Sequence, residues 1–328
     1  MKVASGLLSR RALMIGASAV GICAPFVARA QQYPSQDIHF VTGFPPGSGA
    51  DVITRFFAEK TRAISGKNVL VENKPGAAGS IATEYVARSK PDGHTLLINA
   101  GSGTAAGMHL MKNPPVDVLK SFRIAGTINR QAFMMVVDAK GPYKTVADIT
   151  AAMKAKGTKA SYAVAAPSGI VMGAMYKSIT GVEAVEVMYK DAAGSLNEIL
   201  DGKLDYGMHD PVFSLAQARE GRLRILAHSS GKRLQAVPDI PTMDEAGVKG
   251  MDLTSWWAYI APAETPEPVI KTLNGYLKQI LETEDAKAFL NKFGGDPWIS
   301  TPEQGQAQFV KDEKDWKEYV KLAKIDPQ

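Results

Sequence analysis

The stretch "DIHFVTGFPPGSGADVITRFFAEKTRAISG", residues 37–66, contains a strand, a tight turn and a helix in direct succession. Residues 37–44 are mostly apolar and favour a buried strand, and the glycines and prolines that follow favour a turn. From Ala50 onward, apolar residues recur at helical spacing until Gly66, a typical helix stop. Such turns often bind anions, because free backbone amides and the helix N-terminus both carry partial positive charge.

The same alternation of strand and helix continues along the chain. Strands at residues 68–74 and 94–100 complete a β-α-β-α-β unit, which predicts parallel strands joined by crossover helices. A second unit of this kind spans residues 133–230. Residues 255–263 form a late strand, and two helices follow it.

These two units predict an α/β fold of two lobes, each a mostly parallel sheet flanked by helices. The first lobe comprises residues 31–130 together with 256–328, and the second comprises residues 131–255. The chain therefore crosses twice between the lobes, and we expect the two crossings to form a hinge beside a cleft. Ligands of open α/β sheets bind beyond the carboxyl ends of the strands.

The first thirty residues have the pattern of a cleaved export signal. Arg10 and Arg11 precede an apolar run, and the segment ends with the cleavage pattern Ala28-Arg29-Ala30. The paired arginines resemble a twin-arginine signal, and a general secretory signal is the alternative. We therefore predict that residues 1–30 are removed and that the mature protein is periplasmic.

Composition of the mature chain excludes several classes of function. Four of the 38 basic residues and no acidic residue lie in the predicted signal, which leaves 34 basic against 33 acidic residues. This balance gives no basic footprint for nucleic acid. The single cysteine, Cys23, also lies in the signal, so thiol catalysis and cysteine-ligated metal sites are excluded from the mature protein.

Motifs of enzymes are also missing from the sequence. There is no G-x-S-x-G elbow, no P-loop lysine and no H-E-x-x-H pair. The segment "GSGTAAG", residues 101–107, is one residue longer than a dinucleotide fingerprint, and no acid follows at the ribose-binding distance. We therefore predict no catalytic residues, no metal and no cofactor, and a Rossmann-like enzyme is the less favoured alternative.

Several blocks of the sequence together resemble one known family. The blocks "VLVENKPGAAGSIATEYVARSKPDGHTLLI", "DIPTMDEAG" and "SWWAYIAPAETP" are similar to those of the Bug (TctC-type) extracytoplasmic solute receptors of tripartite tricarboxylate transporters. The resemblance covers about residues 33–324. It implies a two-lobed flytrap fold that binds a small organic carboxylate, membrane permease subunits as partners, and a monomer without catalytic activity. Some family members instead report a ligand to a membrane sensor kinase, and that alternative stays open.

The resemblance also implies which residues contact the ligand. The first loop contacts it mainly through main chain and ordered water, the "GSGTAAG" segment is expected to form a second glycine turn on the same cleft, and a helix start in the second lobe binds a carboxylate. The residues that these three segments supply are Phe44, Pro45, Gly47, Ser48, Asp51, Gly101, Ser102, Gly103, Thr104, Ser168, Gly169 and Ile170. From the residues alone, a plain strand-to-helix turn with Asp51 as a helix-start acid is the competing interpretation of the first loop.

Other candidate contacts are single residues. Asp191 stands after Tyr189 and Lys190, where the family usually has glycine, and it serves either as a helix cap, which we favour, or as a ligand contact. Asp210 matches a family acid near the cleft, whereas the neighbouring His209 departs from the family pattern. Tyr189 is a further candidate contact.

Two candidates lie at the predicted crossings between the lobes. Arg130 either pairs with a distal carboxylate or remains a solvated surface residue. Of Trp256 and Trp257, one is expected to pack between the lobes and the other to form a wall of the pocket, and Trp256 is the one included among the ligand contacts.

Overall fold

Two β-sheets, each covered by helices, form the framework of the chain. The structure, a computed structural model, describes residues 33–322 and 324–327. The predicted export signal at residues 1–30 lies outside these residues. Within the described part of the chain, no helix is long and apolar enough to span a membrane.

Strands and helices alternate along the described chain, as the sequence predicts. In chain order the strands are β1 (Ile38–Thr42), β2 (Val69–Asn73), β3 (Thr95–Ala100), β4 (Phe122–Ala132), β5 (Met134–Asp138), β6 (Ser161–Val164), β7 (Val185–Met188), β8 (Tyr206–His209), β9 (Leu223–His228), β10 (Thr254–Pro262) and β11 (Gly295–Pro297). The helices are α1 (Gly49–Ser65), α2 (Ser80–Ala87), α3 (Gly101–Leu110), α4 (Val118–Ser121), α5 (Val146–Lys156), α6 (Pro167–Thr180), α7 (Leu196–Leu200), α8 (Pro211–Arg219), α9 (Glu267–Leu281), α10 (Glu284–Lys292) and α11 (Pro302–Leu322). Short 3-10 helices occur at Ala77–Gly79, Gly157–Lys159 and Ala192–Ser195.

Both sheets combine parallel and antiparallel pairs. The first has the order β11-β4-β10-β3-β1-β2, in which β1 pairs in parallel with β2 and β3 while β10 runs antiparallel to β3 and β4. The second has the order β7-β6-β8-β5-β9, in which β6 is parallel to β7 and β8 while β5 is antiparallel to β8 and β9. The predicted α/β class with two sheets is confirmed, but the sheets are mixed rather than mostly parallel.

The antiparallel pairs involve the strands that carry the chain between the sheets. Only Phe133 separates β4 from β5, whereas residues 229–253 separate β9 from β10. Antiparallel strands, unlike parallel ones, can be joined without a crossover helix. The strands that carry the chain directly between the sheets therefore pair antiparallel with their neighbours, and each sheet contains both kinds of pair. The boundaries of the two lobes, and hinge motion between them, stay predictions.

Local signals in the sequence account for the helix boundaries. Ser48 caps α1 by accepting a hydrogen bond from the Asp51 amide, and Gly66 ends that helix with a left-handed φ of 67°. Thr145 and Asp148 form a capping box at the start of α5. The strand-turn-helix order predicted for residues 37–66 is confirmed by these contacts.

The segment "GSGTAAG" does not form the predicted glycine turn, because α3 begins directly at Gly101. A Cβ at Gly101 would lie 2.2 Å from the Trp256 ring, so this glycine permits close packing of α3 on β10. The Thr104 hydroxyl donates to the Ala100 carbonyl at 2.9 Å, a bond within the helix. Gly101 therefore serves helix packing, which local sequence patterns do not distinguish from a turn.

Trp256 lies in the core rather than at a pocket wall. Its side chain is buried, and its Nε1 donates a hydrogen bond of 2.6 Å to Oδ2 of Asp312 on α11. The side-chain amide of Gln308 donates a hydrogen bond of 2.6 Å to Oδ1, the other oxygen of the Asp312 carboxyl group. Burial raises the pKa of Asp312 to about 6, although both hydrogen bonds oppose this shift.

Asp312 is expected to make the protein less stable as the pH rises from 5 to 7. Because its pKa is higher in the folded chain than in the unfolded chain, folding favours the protonated form, and about 1 kcal/mol of stability is lost over this interval. An Asp312→Asn variant should lack this loss, since Asn keeps an acceptor for Trp256 and does not titrate. Urea unfolding of both proteins at each pH measures the difference, and identical pH profiles would contradict the assignment.

Candidate functional site

Two adjoining cavities lie among the N-terminal ends of helices that follow strands of both sheets. The inner cavity, of about 70 Å³, is lined by Phe44, Ser48, Gly49, Ala50, Ile53, Asn99, Ala100, Gly103, Gln131, Phe133, Ala165, Ala166, Pro167, Ser168, Asp191, Ala192, Met208, His209, Asp210, Val212 and Trp257. The outer cavity, of about 470 Å³, shares Phe44, Ala165, Ala166 and Pro167 with it and adds Gly43, Pro45, Pro75, Gly76, Ala77, Gly79, Ile170, Met188, Tyr189 and Lys190.

Helix N-termini dominate the wall of the inner cavity. The helices α1 and α6 and the 3-10 helix Ala192–Ser195 begin at residues that line it, and the N-cap residues of α3 and α8, Ala100 and Asp210, line it as well. Unpaired backbone amides and the helix dipole make such ends attractive to anions. None of the described residues that line the inner cavity is lysine or arginine. The arrangement can therefore bind an anion through backbone groups, without a basic side chain.

The first loop turns around Asp51. The Asp51 carboxylate accepts hydrogen bonds from the Gly47 amide at 2.9 Å, from Arg55 at 2.8 Å and from Asn73 at 2.9 Å. Gly47 has a φ of 80°, which favours glycine. Burial of Asp51 acts to raise its pKa, but these hydrogen bonds outweigh burial and lower the pKa. Gly47 and Asp51 thus shape the loop and do not line either cavity.

Two other predicted residues of this loop line the inner cavity, and one lines the outer cavity. Phe44 and Ser48 border the inner cavity, and Pro45 borders the outer cavity. The Ser48 hydroxyl donates to the Pro45 carbonyl at 2.8 Å and accepts from the Asp51 amide at 3.3 Å, so it is held at the start of α1. The loop therefore presents a fixed helix end to the inner cavity.

The first turn of α3 contributes one of its four predicted residues to the inner cavity. Gly103 lines it, whereas Gly101 packs against Trp256. Ser102 is buried, and its Oγ lies 2.8 Å from that of Ser255. Thr104 borders a separate, smaller cavity. The hydroxyl groups of Ser102 and Thr104 thus form hydrogen bonds within the protein. The segment presents the backbone of Gly103 to the inner cavity.

The start of α6 faces the inner cavity through Ser168. This residue is buried, and within residues 33–322 no hydrogen bond engages its hydroxyl. Gly169 packs closely on β8, because a Cβ there would lie 2.7 Å from the Met208 carbonyl oxygen. Ile170 lines the outer cavity. Ser168 is therefore the hydroxyl donor available at this helix start.

Two acidic residues combine capping with a place on the cavity wall. Asp191 accepts a hydrogen bond of 3.0 Å from the Gly194 amide, which confirms the predicted cap, and it also lines the inner cavity. Asp210 caps α8 by accepting from the Phe213 amide at 3.0 Å. Burial raises the pKa of Asp210, and its backbone donors act against that shift.

His209 also lies on the wall of the inner cavity, next to Asp210 in the chain. Its Nε2 lies 2.9 Å from Ser195 Oγ, and its ring stands edge-on to Phe213 at 5.2 Å between centroids. Burial lowers the pKa of His209 to about 3. The imidazole is therefore neutral at ordinary pH and adds no positive charge to the cavity.

Three other predicted contacts lie outside the inner cavity. Arg130 is exposed, and its guanidinium lies over the Trp298 ring at 4.2 Å from the centroid. Tyr189 lines the outer cavity, and its hydroxyl donates to Glu198 at 2.7 Å. Trp256 is part of the core, whereas Trp257, the next residue along β10, lines the inner cavity.

Sequence reasoning missed several residues of the inner cavity. The larger ones are Ile53, Asn99, Gln131, Phe133, Met208 and Val212, and Trp257 was expected there only as the alternative to Trp256. Successive side chains along β10 point to opposite faces of the sheet, so Trp256 and Trp257 lie on different faces. This alternation predicts from the sequence that only one of the two tryptophans lines the cavity. No group of three or more metal-ligating side chains occurs among the described residues.

Comparisons with known proteins agree with this architecture. A family model described as "Tripartite tricarboxylate transporter family receptor" (TctC) matches residues 53–324. Protein BugT of Bordetella pertussis is 29% identical over 296 residues, which cover 89% of this chain and 90% of BugT. The solved structure of R. palustris Rpa4515 with adipate has a TM-score of 0.85 at 26% identity, covering 90% of this chain and all of that one.

The periplasmic binding protein BugD is also similar, with a TM-score of 0.82 and 29% identity over 90% of this chain and all of the BugD chain. Fold and sequence thus give the same result as the resemblance noted from the sequence blocks. The match of the family model covers well over half of the chain. This chain belongs to the TctC family of tripartite tricarboxylate transporter receptors.

Proposed function

We propose that this chain is a periplasmic receptor that captures a small organic carboxylate in the inner cavity and delivers it to the permease subunits of a tripartite transporter. The observation that supports this most directly is the convergence of four α-helix N-termini on a cavity without lysine or arginine. The similar protein Rpa4515 has been solved with adipate. The receptor acts as a monomer, without cofactor or catalytic step.

Capture works by closure of two lobes about the passages between the sheets. The wall of the inner cavity combines α1 and α3, which follow strands of the first sheet, with α6 and α8, which follow strands of the second. A carboxylate that contacts both groups of helix ends stabilises the closed form relative to the open one. The closed form is the state that the permease recognises.

Binding is expected to raise the stability of the mature protein, residues 31–328. A carboxylate present at about 100 times its Kd adds about 2.7 kcal/mol to the free energy of unfolding. Thermal melts of the purified protein across a panel of small organic acids measure this gain. The matching primary amides serve as controls, since they keep the carbon skeleton and lose the negative charge. Equal shifts with acids and amides, or none with any acid, would contradict the proposal.

A further inference from the structure

We propose that the inner cavity selects carboxylates that also carry a protonated amine, and that it disfavours ligands with a second carboxylate. This inference rests on the proposed receptor function and specifies the class of carboxylate. It concerns the wall formed by Asp191, His209 and Asp210, which we call the acceptor wall.

The charges on the inner cavity are all of one sign. Asp191 and Asp210 are the two ionisable acids among its described lining residues, and no lysine or arginine accompanies them. A second carboxylate inside the cavity would meet no cation and would lie near two acids, an arrangement that repulsion disfavours. An ammonium group in the same place would meet opposite charge and hydrogen-bond acceptors.

His209 provides an acceptor that has no partner among the described residues. The Ser195 hydroxyl donates its proton to the Ala192 carbonyl at 2.8 Å, so its oxygen accepts from His209 Nε2–H at 2.9 Å. In this tautomer Nδ1 carries a lone pair. Nδ1 is buried and has no hydrogen-bond partner within the described residues, while the ring lines the inner cavity. A buried acceptor of this kind calls for a donor on the ligand.

Asp191 has an unused oxygen. Its Oδ1 accepts from the Gly194 amide, and no hydrogen bond engages Oδ2 within residues 33–322. The side chain is partly exposed, so it is reached by a ligand that enters the cavity. Asp191 therefore serves as a cap and as an acceptor at the same time.

Donors are present on the same cavity as these acceptors. The Ser168 hydroxyl and the first amides of α6 are available to a carboxylate, as described above. Trp257 also lines the cavity, and its indole N–H has no partner within the described residues. A zwitterion therefore finds donors for its carboxylate and acceptors for its ammonium group in one cavity.

A basic side chain is available only outside the inner cavity. Lys190 lines the outer cavity and is exposed. Among the described residues that line the two cavities, a dicarboxylate meets a cationic side chain only by extending from the inner cavity to this lysine. The length of the ligand and the sign of its second group are thus the two variables to separate.

Hexanoate and four acids derived from it separate these variables. Norleucine and 6-aminohexanoate carry an ammonium group on C2 and on C6 of the chain, butylmalonate carries a second carboxylate on C2, and in adipate C6 itself is the second carboxylate. Calorimetric titration of the mature protein gives a Kd for each. We expect the ammonium compound to bind at least about tenfold tighter than the carboxylate compound in each pair, a difference of about 1.4 kcal/mol.

An Asp191→Asn variant tests the role of the wall. Asn caps a helix about as well as Asp, so the variant removes charge and keeps the local structure. The ratio of ammonium to carboxylate affinity should fall about tenfold. Asp239→Asn is the matched control, because Asp239 is exposed and does not line either cavity, and it should leave the ratio unchanged.

The outcomes distinguish this inference from the receptor function itself. Tighter binding of butylmalonate or adipate than of its ammonium counterpart, or an unchanged ratio in Asp191→Asn, would overturn the selectivity and leave carboxylate capture intact. Failure of all five acids to bind at millimolar concentration would contradict carboxylate capture, and this inference with it.

Discussion

Replacing Gly49 with valine is expected to weaken ligand binding by about 100-fold while the unliganded protein stays folded. A Cβ at Gly49 would lie 2.7 Å from both Asp210 Oδ1 and Val212 Cβ, which is closer than nonbonded atoms approach. Gly49 begins α1, and the other two residues lie at the start of α8. The added side chain would therefore separate two helix ends that must come together around the ligand.

The size of this effect follows from the cost of overpacking. Forcing extra carbon atoms into a close contact costs about 1–3 kcal/mol, and a cost of 2.7 kcal/mol lowers the population of the closed form about 100-fold. Valine does not strain the backbone at this position, because Gly49 has no left-handed φ. Gly49→Ala should give an intermediate loss of affinity.

Calorimetry with a ligand found in the acid panel measures both variants. Gly275→Ala is the control, since a Cβ at Gly275 meets no atom within 4 Å and lies on α9, away from both cavities. It should bind like the wild type. Wild-type affinity in Gly49→Val would show that the approach of α1 to α8 has no part in binding.

Acidification from pH 7 to pH 4 is expected to destabilise the wild type by about 3 kcal/mol more than a His209→Gln variant. The pKa of His209 is about 3 in the folded protein, against 6.5 for an unperturbed histidine. Between these values the unfolded chain binds a proton that the folded chain does not, so stability falls as the pH falls. Glutamine keeps a polar group near Ser195 and does not titrate.

The measurement is urea unfolding of both proteins at each pH. Other acids and the buried His228 are present in both proteins, so their contributions cancel in the difference. His94→Gln serves as a control for loss of a histidine. His94 directly precedes β3 of the first sheet and lines neither cavity. If the wild type and His209→Gln lose stability in parallel, His209 is not held in its neutral form by burial.

Much of the fold could be predicted because its signals are local. The strand, turn and helix of residues 37–66 follow from apolar spacing, the Ser48 cap and Gly66, all of which lie within one stretch. The α3 segment could not be predicted in this way. Its glycines look like a turn in the sequence, and only the distant Trp256 ring, packed against Gly101, shows that they allow a helix to approach a strand.

The candidate site was predictable at the level of its loops but less so at the level of its side chains. Phe44, Ser48 and Ser168 were expected and do line the inner cavity, because they lie at helix starts after strands. Asp51 was expected at the ligand and instead holds the loop, because Gly47, Arg55 and Asn73 all donate to it. Gly47 and Arg55 are each four residues from Asp51, but the sequence pattern does not show that their donors, together with Asn73 of β2, all turn to this carboxylate.

The strand order of the first sheet constrains how the chain can be synthesised and shortened. β10, residues 254–262, lies between β3 and β4, although both of those strands are made more than a hundred residues earlier. A nascent chain cannot finish this sheet until β10 and then β11 have left the ribosome. Truncations that end before β10 also remove β11, so they would leave β4 without a partner on either side and β3 with one unpaired edge, and such edges promote aggregation.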